Sequence, residues 1–184
     1  NVAQEIYIDM IPVTDYITSG VWQIILNPTR VVEGQYDLWL PSENVLNRGT
    51  GFLYPDEEVT LTIPSTADKV ISVGAYDALT FSYASFSGRG YTWQDERTKP
   101  DLVAPGVNVR TTAVGGGVTV VSGTSFATPF VTGASALLME WGIVRGNDPF
   151  LYGEKVKAYL RRGARELPGF GKYPNREVGY GEDV

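Results

Sequence analysis

The chain has 184 residues, of which 43% are hydrophobic, and this length and composition suit one domain or two small domains with a sizeable core. The formal net charge of −6 argues against nucleic acids and anionic membranes as partners. Cysteine is absent, which excludes disulfides and catalytic thiols, and no apolar run approaches the ~20 residues of a membrane helix. Histidine, the most common general base of enzymes, is also absent.

Short runs with strand-like patterning occupy residues 1–64. The range 21–26 is largely apolar, and residues 35–40 and 59–63 alternate between apolar and polar side chains. Residues 6–11 form another short run, and turn residues such as Asn27-Pro28 separate the runs. Several short strands divided by turns are typical of an antiparallel β sandwich or jelly roll. Residues 1–64 are therefore predicted to be one domain, or part of one.

The pattern changes near residue 65, and residues 65–184 are predicted to form a second, α/β domain. Further along, residues 149–163 carry apolar side chains near helical spacing and end at Gly163. Arg161 and Arg162 lie in the last turn of this helix, and Arg165 follows its end. Because helix C-termini attract cations, these arginines are not interpreted as a nucleic-acid site.

Residues 123–133, Gly-Thr-Ser-Phe-Ala-Thr-Pro-Phe-Val-Thr-Gly, are the candidate functional site. Gly123 permits a tight turn and close approach of a substrate. Ser125 is a candidate nucleophile, which needs a neighbouring base and amide donors for the developing oxyanion. Amides at the start of a helix supply such donors. Ser125 is therefore predicted to lie at a helix N-terminus, with its own N–H facing the oxyanion.

The residues after Ser125 predict a helix that is buried against a sheet. Ala127, Val131, Ala134 and Leu138 recur at spacings of three and four residues. Thr124 or Ser125 is predicted to cap this helix, and Pro129 is predicted to lie in its first turn. A serine- and threonine-rich cap on an ordinary core helix would share these features, so the short motif alone does not establish catalysis.

The longer pattern Gly-Thr-Ser-x-Ala-x-Pro-x-Val-x-Gly resembles the nucleophile signature of the subtilisin-like serine proteases, peptidase family S8. Residues 99–106, Lys-Pro-Asp-Leu-Val-Ala-Pro-Gly, resemble the strand and turn that precede the nucleophile in that family. Residues 70–77, followed by Ala-Ser-Phe-Ser at 84–87, resemble a central parallel strand of the family. The resemblance covers residues 64–182 and implies the C-terminal part of a subtilisin-like parallel-sheet sandwich.

The resemblance also implies the chemistry. Ser125 would be the nucleophile, and Gly123, Thr124 and Ser125 would form the oxyanion and substrate-binding loop. Family members use an Asp, a His and an oxyanion Asn that precede the matched region. The chain is therefore expected to be the C-terminal portion of a longer endopeptidase, inactive alone, with the missing N-terminal part and a protein or peptide substrate as partners. Unpaired strand edges would also favour self-association.

One departure refines the resemblance. Subtilases commonly have His after the signature proline, whereas this chain has Phe130, which is interpreted as helix packing. The sequence Pro-Phe-Val-Thr-Gly at 129–133 and the sandwich pattern of residues 1–64 are together similar to the Csp-type clostridial germination proteases. Those proteases carry a jelly-roll insertion. This implies a bacterial protein, secreted or spore-associated, although the compartment is not fixed by the sequence.

No cofactor or metal site is predicted. Some subtilases bind calcium, but no loop here has EF-hand-like ligand spacing. The acidic pairs Asp95-Glu96 and Glu182-Asp183 are interpreted as solvated surface. Two other functions stay open: a pseudoprotease that senses or scaffolds, and a binding role for the sandwich, in which Trp22 and Trp39 would be exposed or in the core.

Overall fold

The computed structural model describes residues 5–32, 34, 36–41, 45–92 and 97–183. The chain divides into two compact units, Asn1–Pro55 and Asp56–Val184. The predicted boundary between residues 64 and 65 lies within the second of these units. Compactness does not identify the fold of either unit, so the assignment of residues 1–64 to a jelly-roll insertion stays a prediction.

In the first unit, no strand is assigned to the described residues. Apolar side chains of the predicted strands are exposed, and Trp22 and Trp39 are 61% and 62% exposed. Alternation places side chains on one face, but a strand also needs a partner for its N–H and C=O groups. The described part of this unit contains no such pairing, and residues 59–63 of the second unit are not a strand either. Gln35, from one predicted strand, lies outside the described residues.

Regular structure is concentrated in the second unit. Its strands are β1 Val73–Asp77, β2 Ser82–Tyr83, β3 Gly90–Tyr91, β4 Thr98–Lys99, β5 Leu102–Pro105, β6 Val109–Thr112 and β7 Val118–Val121. Its helices are α1 Thr124–Met139, which continues into a π-helical turn at Glu140–Val144, and α2 Gly153–Gly163. The predicted helix at 149–163 is thus present, with a later start.

A three-stranded sheet of order β2-β1-β5 forms the centre of this unit. Strands β1 and β5 are parallel, with Ala75 beside Ala104, and β2 is antiparallel to β1. Each of the two segments that resemble the protease family contributes one parallel strand: residues 70–77 contain β1, and residues 99–106 contain β5. Strands β6 and β7 form a separate antiparallel hairpin, which leads directly into α1.

The main hydrophobic core lies between this sheet and the two helices. Ala127 and Val131 of α1 pack with Ala75, Leu102 and Ala104 of the sheet. Small side chains at the contact allow close approach of the helix, as the spacing of residues in α1 predicts. From α2, Val156 and Leu160 complete this cluster.

The start of α1 differs from the prediction in two respects. Gly123 is the N-cap residue and no side chain caps the helix, so the prediction that Thr124 or Ser125 caps it is wrong. The helix begins at Thr124, one residue earlier than a cap at Thr124 requires and two residues earlier than a cap at Ser125 requires, so both side chains belong to its first turn. Pro129 lies in the second turn, where it cannot donate the hydrogen bond that the carbonyl of Ser125 would otherwise accept.

The combined helix Thr124–Val144 is long and apolar enough to cross a membrane, judged by length and composition alone. The expectation that no segment approaches this length is therefore wrong. Core helices of water-soluble proteins pass the same criterion, and α1 packs against β1 and β5 through Ala127 and Val131. The absence of a membrane partner stays a prediction.

The last described residues form a strap along β5. The amide of Val103 donates to the carbonyl of Gly181 at 2.9 Å, and the amide of Asp183 donates to the carbonyl of Val103 at 3.0 Å. The side chain of Glu182 is buried and accepts a hydrogen bond from Arg165 Nε at 2.6 Å. Glu182 is thus part of the interior, which corrects its interpretation as solvated surface. Asp95-Glu96 lies outside the described residues.

Candidate active site

Ser125 lies in the first turn of α1, and its side chain is exposed. The first amides of a helix have no acceptor within that helix. Within the described residues, neither the amide nor the hydroxyl of Ser125 has a hydrogen-bond partner. Both groups are therefore available to a bound ligand, which is the geometry that a nucleophile and an oxyanion donor require.

Gly123 and Thr124 lie where the sequence predicts them, immediately before the nucleophile candidate. Gly123 has φ of +150°, a conformation that favours glycine, and its carbonyl accepts a hydrogen bond from the amide of Phe126 at 3.1 Å. Thr124 is half-buried, and its carbonyl accepts a hydrogen bond from the hydroxyl of Thr128 at 3.0 Å. These contacts fix the turn, while the roles of Gly123 and Thr124 toward an oxyanion stay predictions.

Backbone hydrogen bonds anchor the nucleophile loop to the carboxyl ends of the two parallel strands. The amide of Gly123 donates to the carbonyl of Gly106 at 2.8 Å, and the amide of Gly106 donates to the carbonyl of Tyr76 at 3.0 Å. Gly106 follows β5 directly, and Tyr76 lies near the end of β1. Ligand sites of parallel α/β sheets form beyond the carboxyl ends of their strands, and Ser125 lies at that edge.

A second contact fixes the approach to the loop. The amide of Asn108 donates to the hydroxyl of Ser122 at 2.9 Å, and Asn108 has φ of +53°. Asparagine tolerates this conformation better than most residues. The bond ties the beginning of the β6–β7 hairpin to its end, three residues before Ser125.

An apolar groove of about 270 Å³ begins beside the nucleophile loop. It lies between β6 and the first two turns of α1, and its lining comprises Val109, Arg110, Thr111, Phe126, Pro129 and Phe130. Phe130 is 47% exposed, so its interpretation as helix packing holds only in part, because one side of its ring faces this groove.

Among the described residues, no side chain is placed to act as a general base for Ser125. The sequence has no histidine, and no described side chain hydrogen-bonds to the serine hydroxyl. The described residues also contain no cluster of three acidic, histidine or cysteine side chains that could hold a metal ion. A serine hydroxyl without a base is a weak nucleophile, so these residues supply only part of a hydrolytic site.

Sequence reasoning missed the residues that position the loop. The sequence marks Gly106 only as the last residue of the motif at 99–106. In the structure, a β-carbon at this position would lie 2.5 Å from the β-carbon of Ala75 and 3.1 Å from the carbonyl oxygen of Gly123. A glycine after a buried strand is a signal for such close approach. The pairing of Asn108 with Ser122 had no local signal in the sequence, because it depends on the register of the hairpin.

The fold and the loop together define a protein class. The Subtilase family model matches residues 53–181, which contain the parallel strands, the hairpin and the nucleophile loop. The chain belongs to this family of subtilisin-like serine proteases, as the resemblance in its motifs implies.

Individual relatives agree with this assignment. The structure of the CspB protease of Clostridium perfringens is similar to 75% of this chain, with 50% identity and a TM-score of 0.71, over 29% of that protein. Serine protease AprX of Bacillus subtilis is 34% identical in an alignment 129 residues long that covers 59% of this chain and 27% of AprX. The membrane-bound transcription factor site-1 protease of Mus musculus is 38% identical in an alignment 128 residues long that covers 67% of this chain and 12% of that protein. The chain therefore spans less than a third of each relative.

Proposed function

We propose that this chain supplies the nucleophile of a serine endopeptidase that hydrolyses peptide bonds through an acyl-enzyme. The observation that carries the proposal is the placement of Ser125: an exposed hydroxyl and an unpartnered amide at a helix start that is bonded to the ends of β1 and β5. The similarity to several proteases supports it.

In the proposed reaction, Ser125 Oγ attacks the carbonyl carbon of the scissile peptide bond, and its proton passes to a general base. The oxyanion accepts a hydrogen bond from the Ser125 amide, with the Thr124 hydroxyl nearby. Collapse of the tetrahedral intermediate breaks the C–N bond, and the leaving amine takes the proton from the base. Water then attacks the ester and gives a proton to the base, which returns it to Ser125 Oγ as the ester C–O bond breaks and the carboxylic acid product leaves.

We infer that the base comes from outside these 184 residues, because the sequence contains no histidine. The family uses a His oriented by an Asp, together with an oxyanion Asn, and we infer that a further segment of the same protease supplies all three. The proposal therefore predicts that the 184-residue chain alone is inactive. Substrate proteins or peptides are the proposed partners of the complete enzyme.

A pseudoprotease is the second candidate. It is favoured by the absence of histidine from the sequence and of any described partner for the Ser125 hydroxyl. In that case the nucleophile loop would be retained for its structural contacts, and the protein would sense or scaffold. The two candidates differ in the reactivity of Ser125 in the complete protein.

Labelling with a fluorophosphonate tests the proposal, since this probe reacts with serines that an assembled triad activates. We expect labelling of the full-length protein and none after Ser125→Ala. Ser135→Ala is the matched control, because Ser135 lies on the same helix and bonds the carbonyl of Val131 at 2.7 Å. Folded full-length protein that stays unlabelled would establish the pseudoprotease. Labelling of Ser125 in the 184-residue chain alone would show that no outside base is needed.

A further inference from the structure

Four charged side chains form a buried group between α2 and the turn before β1, away from the nucleophile loop. This charge cluster consists of Lys99, Asp101, Lys157 and Arg161. The carboxylate of Asp101 is fully buried and lies 3.0 Å from Lys99 Nζ and 3.2 Å from Lys157 Nζ. It also accepts a hydrogen bond from Arg161 Nε at 2.9 Å. One anion therefore faces three cations, which leaves two positive charges in excess when both lysines are protonated.

Backbone carbonyls of the turn at residues 67–70 hold the two lysines. Lys99 Nζ donates to the carbonyl of Ala67 at 3.3 Å and to that of Val70 at 3.2 Å. Lys157 Nζ makes shorter bonds, at 2.7 Å to the carbonyl of Asp68 and 2.8 Å to that of Val70. Since Lys157 belongs to α2, its two bonds join this helix to the turn that leads into β1.

The protonation state of Lys157 changes its contact with Asp101. An ammonium group has three protons, which here face the carbonyls of Asp68 and Val70 and the Oδ1 atom of Asp101. A neutral amine has two protons, which serve the two carbonyls. It gives up the contact with Asp101, which keeps Lys99 and Arg161 as partners, and it removes one of the excess positive charges.

Other charges near the turn are engaged elsewhere. The carboxylate of Asp68 forms an ion pair with Arg97, and Lys69 forms one with Glu154 at 3.8 Å. The ring of Tyr180 lies 4.9 Å from the guanidinium carbon of Arg161, on the side of the cluster formed by the strap. None of these contacts offsets the repulsion between Lys157 and its two cationic neighbours.

We propose that Lys157 is a proton-controlled link between α2 and the turn at residues 67–70. Because of the excess positive charge of the cluster, the folded domain is favoured less when Lys157 is protonated than when it is neutral. Because the turn leads into β1, the protonation of Lys157 affects the stability of the sheet that anchors the nucleophile loop. The result is a domain that is held together more firmly in mildly alkaline than in neutral solution.

The electrostatics agree with this geometry. Burial lowers the pKa of Lys157 to about 8; attraction by Asp101 opposes this shift, and repulsion by Lys99 and Arg161 adds to it. In the unfolded chain a lysine has its ordinary pKa of about 10.4. Between these two values the unfolded chain binds more protons than the folded one, so stability rises with pH across this interval. The gain is lost as the pH falls through about 8.

Urea unfolding of the full chain between pH 7 and pH 9.5 tests the link. For the wild type we expect the unfolding equilibrium constant to fall by at least about tenfold over this range, as a pKa difference of this size requires. Lys157→Met, which keeps most of the aliphatic side chain, should remove this pH dependence. Lys155→Met is the matched control, because Lys155 lies on the same helix but pairs with Asp148 at the surface, and it should keep the wild-type response.

An equal response in Lys157→Met and the wild type would overturn the proposal. Direct titration of the Lys157 amine in the wild type, followed by nitrogen NMR, decides the matter if the variant does not fold. A pKa near 8 supports the link, and an ordinary lysine pKa overturns it. Both measurements leave Ser125 untouched, so their failure is separate from failure of the proposed protease function.

Discussion

The amide of Gly123 donates a hydrogen bond to the carbonyl of Gly106 at 2.8 Å, and this bond joins the nucleophile loop to the end of β5. Because Gly106 itself bonds the carbonyl of Tyr76 in β1, both parallel strands determine where Ser125 lies. The position of the nucleophile thus depends on backbone hydrogen bonds and not on the side chains of the signature.

Gly106→Ala should therefore move the loop. Its new β-carbon would lie 2.5 Å from that of Ala75, a distance that requires the backbone to shift. We expect a loss of stability of about 1–3 kcal/mol, typical of overpacking in a core, and at least a tenfold slower fluorophosphonate reaction of the full-length protein. Gly133→Ala, where an added β-carbon meets no heavy atom within 4 Å, is the control for labelling rate. Equal labelling by both variants would show that the contact does not position Ser125.

Leu102 tests the core between the sheet and the helices. Leu102 is fully buried, whereas Leu137, on the outer face of α1, is 68% exposed. Leu102→Ala should destabilise the domain by about 2–5 kcal/mol because it removes buried methyl groups and leaves a cavity. Leu137→Ala should change stability by less than about 0.5 kcal/mol. Chemical denaturation measures both, and a large effect at Leu137 would mean that another surface covers this face of α1.

Asp101 tests the charge cluster from its anionic side. Burial alone would raise the pKa of this carboxyl, but hydrogen bonds from the Ser72 amide, Lys99 and Arg161 outweigh it and hold the pKa below its usual range. Asp101→Asn leaves buried cations without their counter-ion, which should cost about 3–5 kcal/mol. Asp148→Asn, which breaks the surface pair with Lys155, should cost far less. Urea unfolding at pH 7 compares the two, and similar losses would contradict the cluster's importance.

The same carboxyl predicts how the domain responds to acid. Since the pKa of folded Asp101 is depressed, its contribution is complete above the pKa of an unfolded aspartate and is lost as the pH falls through the folded value. Wild-type stability should therefore decline toward low pH. Asp101→Asn should show a smaller decline, which acid titration of the unfolding midpoint will measure.

Gly181 tests the strap along β5. It has φ of +123°, and a β-carbon there would overlap the backbone carbonyl of Arg165. Gly181→Ala should release residues 181–183 from Val103, with a stability loss above about 2 kcal/mol from strain and lost backbone bonds. Gly171→Ala, which has open space and no positive φ, should be close to neutral. Amide hydrogen exchange of Val103 will show whether the strap has detached.

The protease motifs could be recognised from sequence because each is local. Residues 123–133 predicted the helix and the place of Ser125, and residues 70–77 and 99–106 predicted two buried strands. The helix prediction rested on apolar spacing, whereas the two strands were implied by the resemblance of their segments to the protease family. Local reasoning placed the cap of α1 one or two residues too late, since a glycine can take the cap position in place of serine or threonine.

The remaining features depend on partners that are distant in sequence. Glu182 reads as a solvated charge by itself, but it is buried because Arg165 and Tyr76 lie against it. The sequence around Lys99 and Lys157 gives no signal of burial, yet both ammonium groups contact the carboxylate of Asp101 and carbonyls of the turn at residues 67–70. In the range 1–64, alternation indicated strands without supplying the pairing that makes them, and no strand is present in its described part.

The hydrogen bond between Tyr76 and Glu182 spans more than a hundred residues of chain. During synthesis at about 5–20 residues per second, β1 leaves the ribosome several seconds before residues 181–183 can reach β5. Until then Val103 lacks the partners that the strap gives its amide and carbonyl. The nascent protein thus has an unpaired strand edge at β5 after Ser125 has been synthesised, and residues 181–183 later cover this edge.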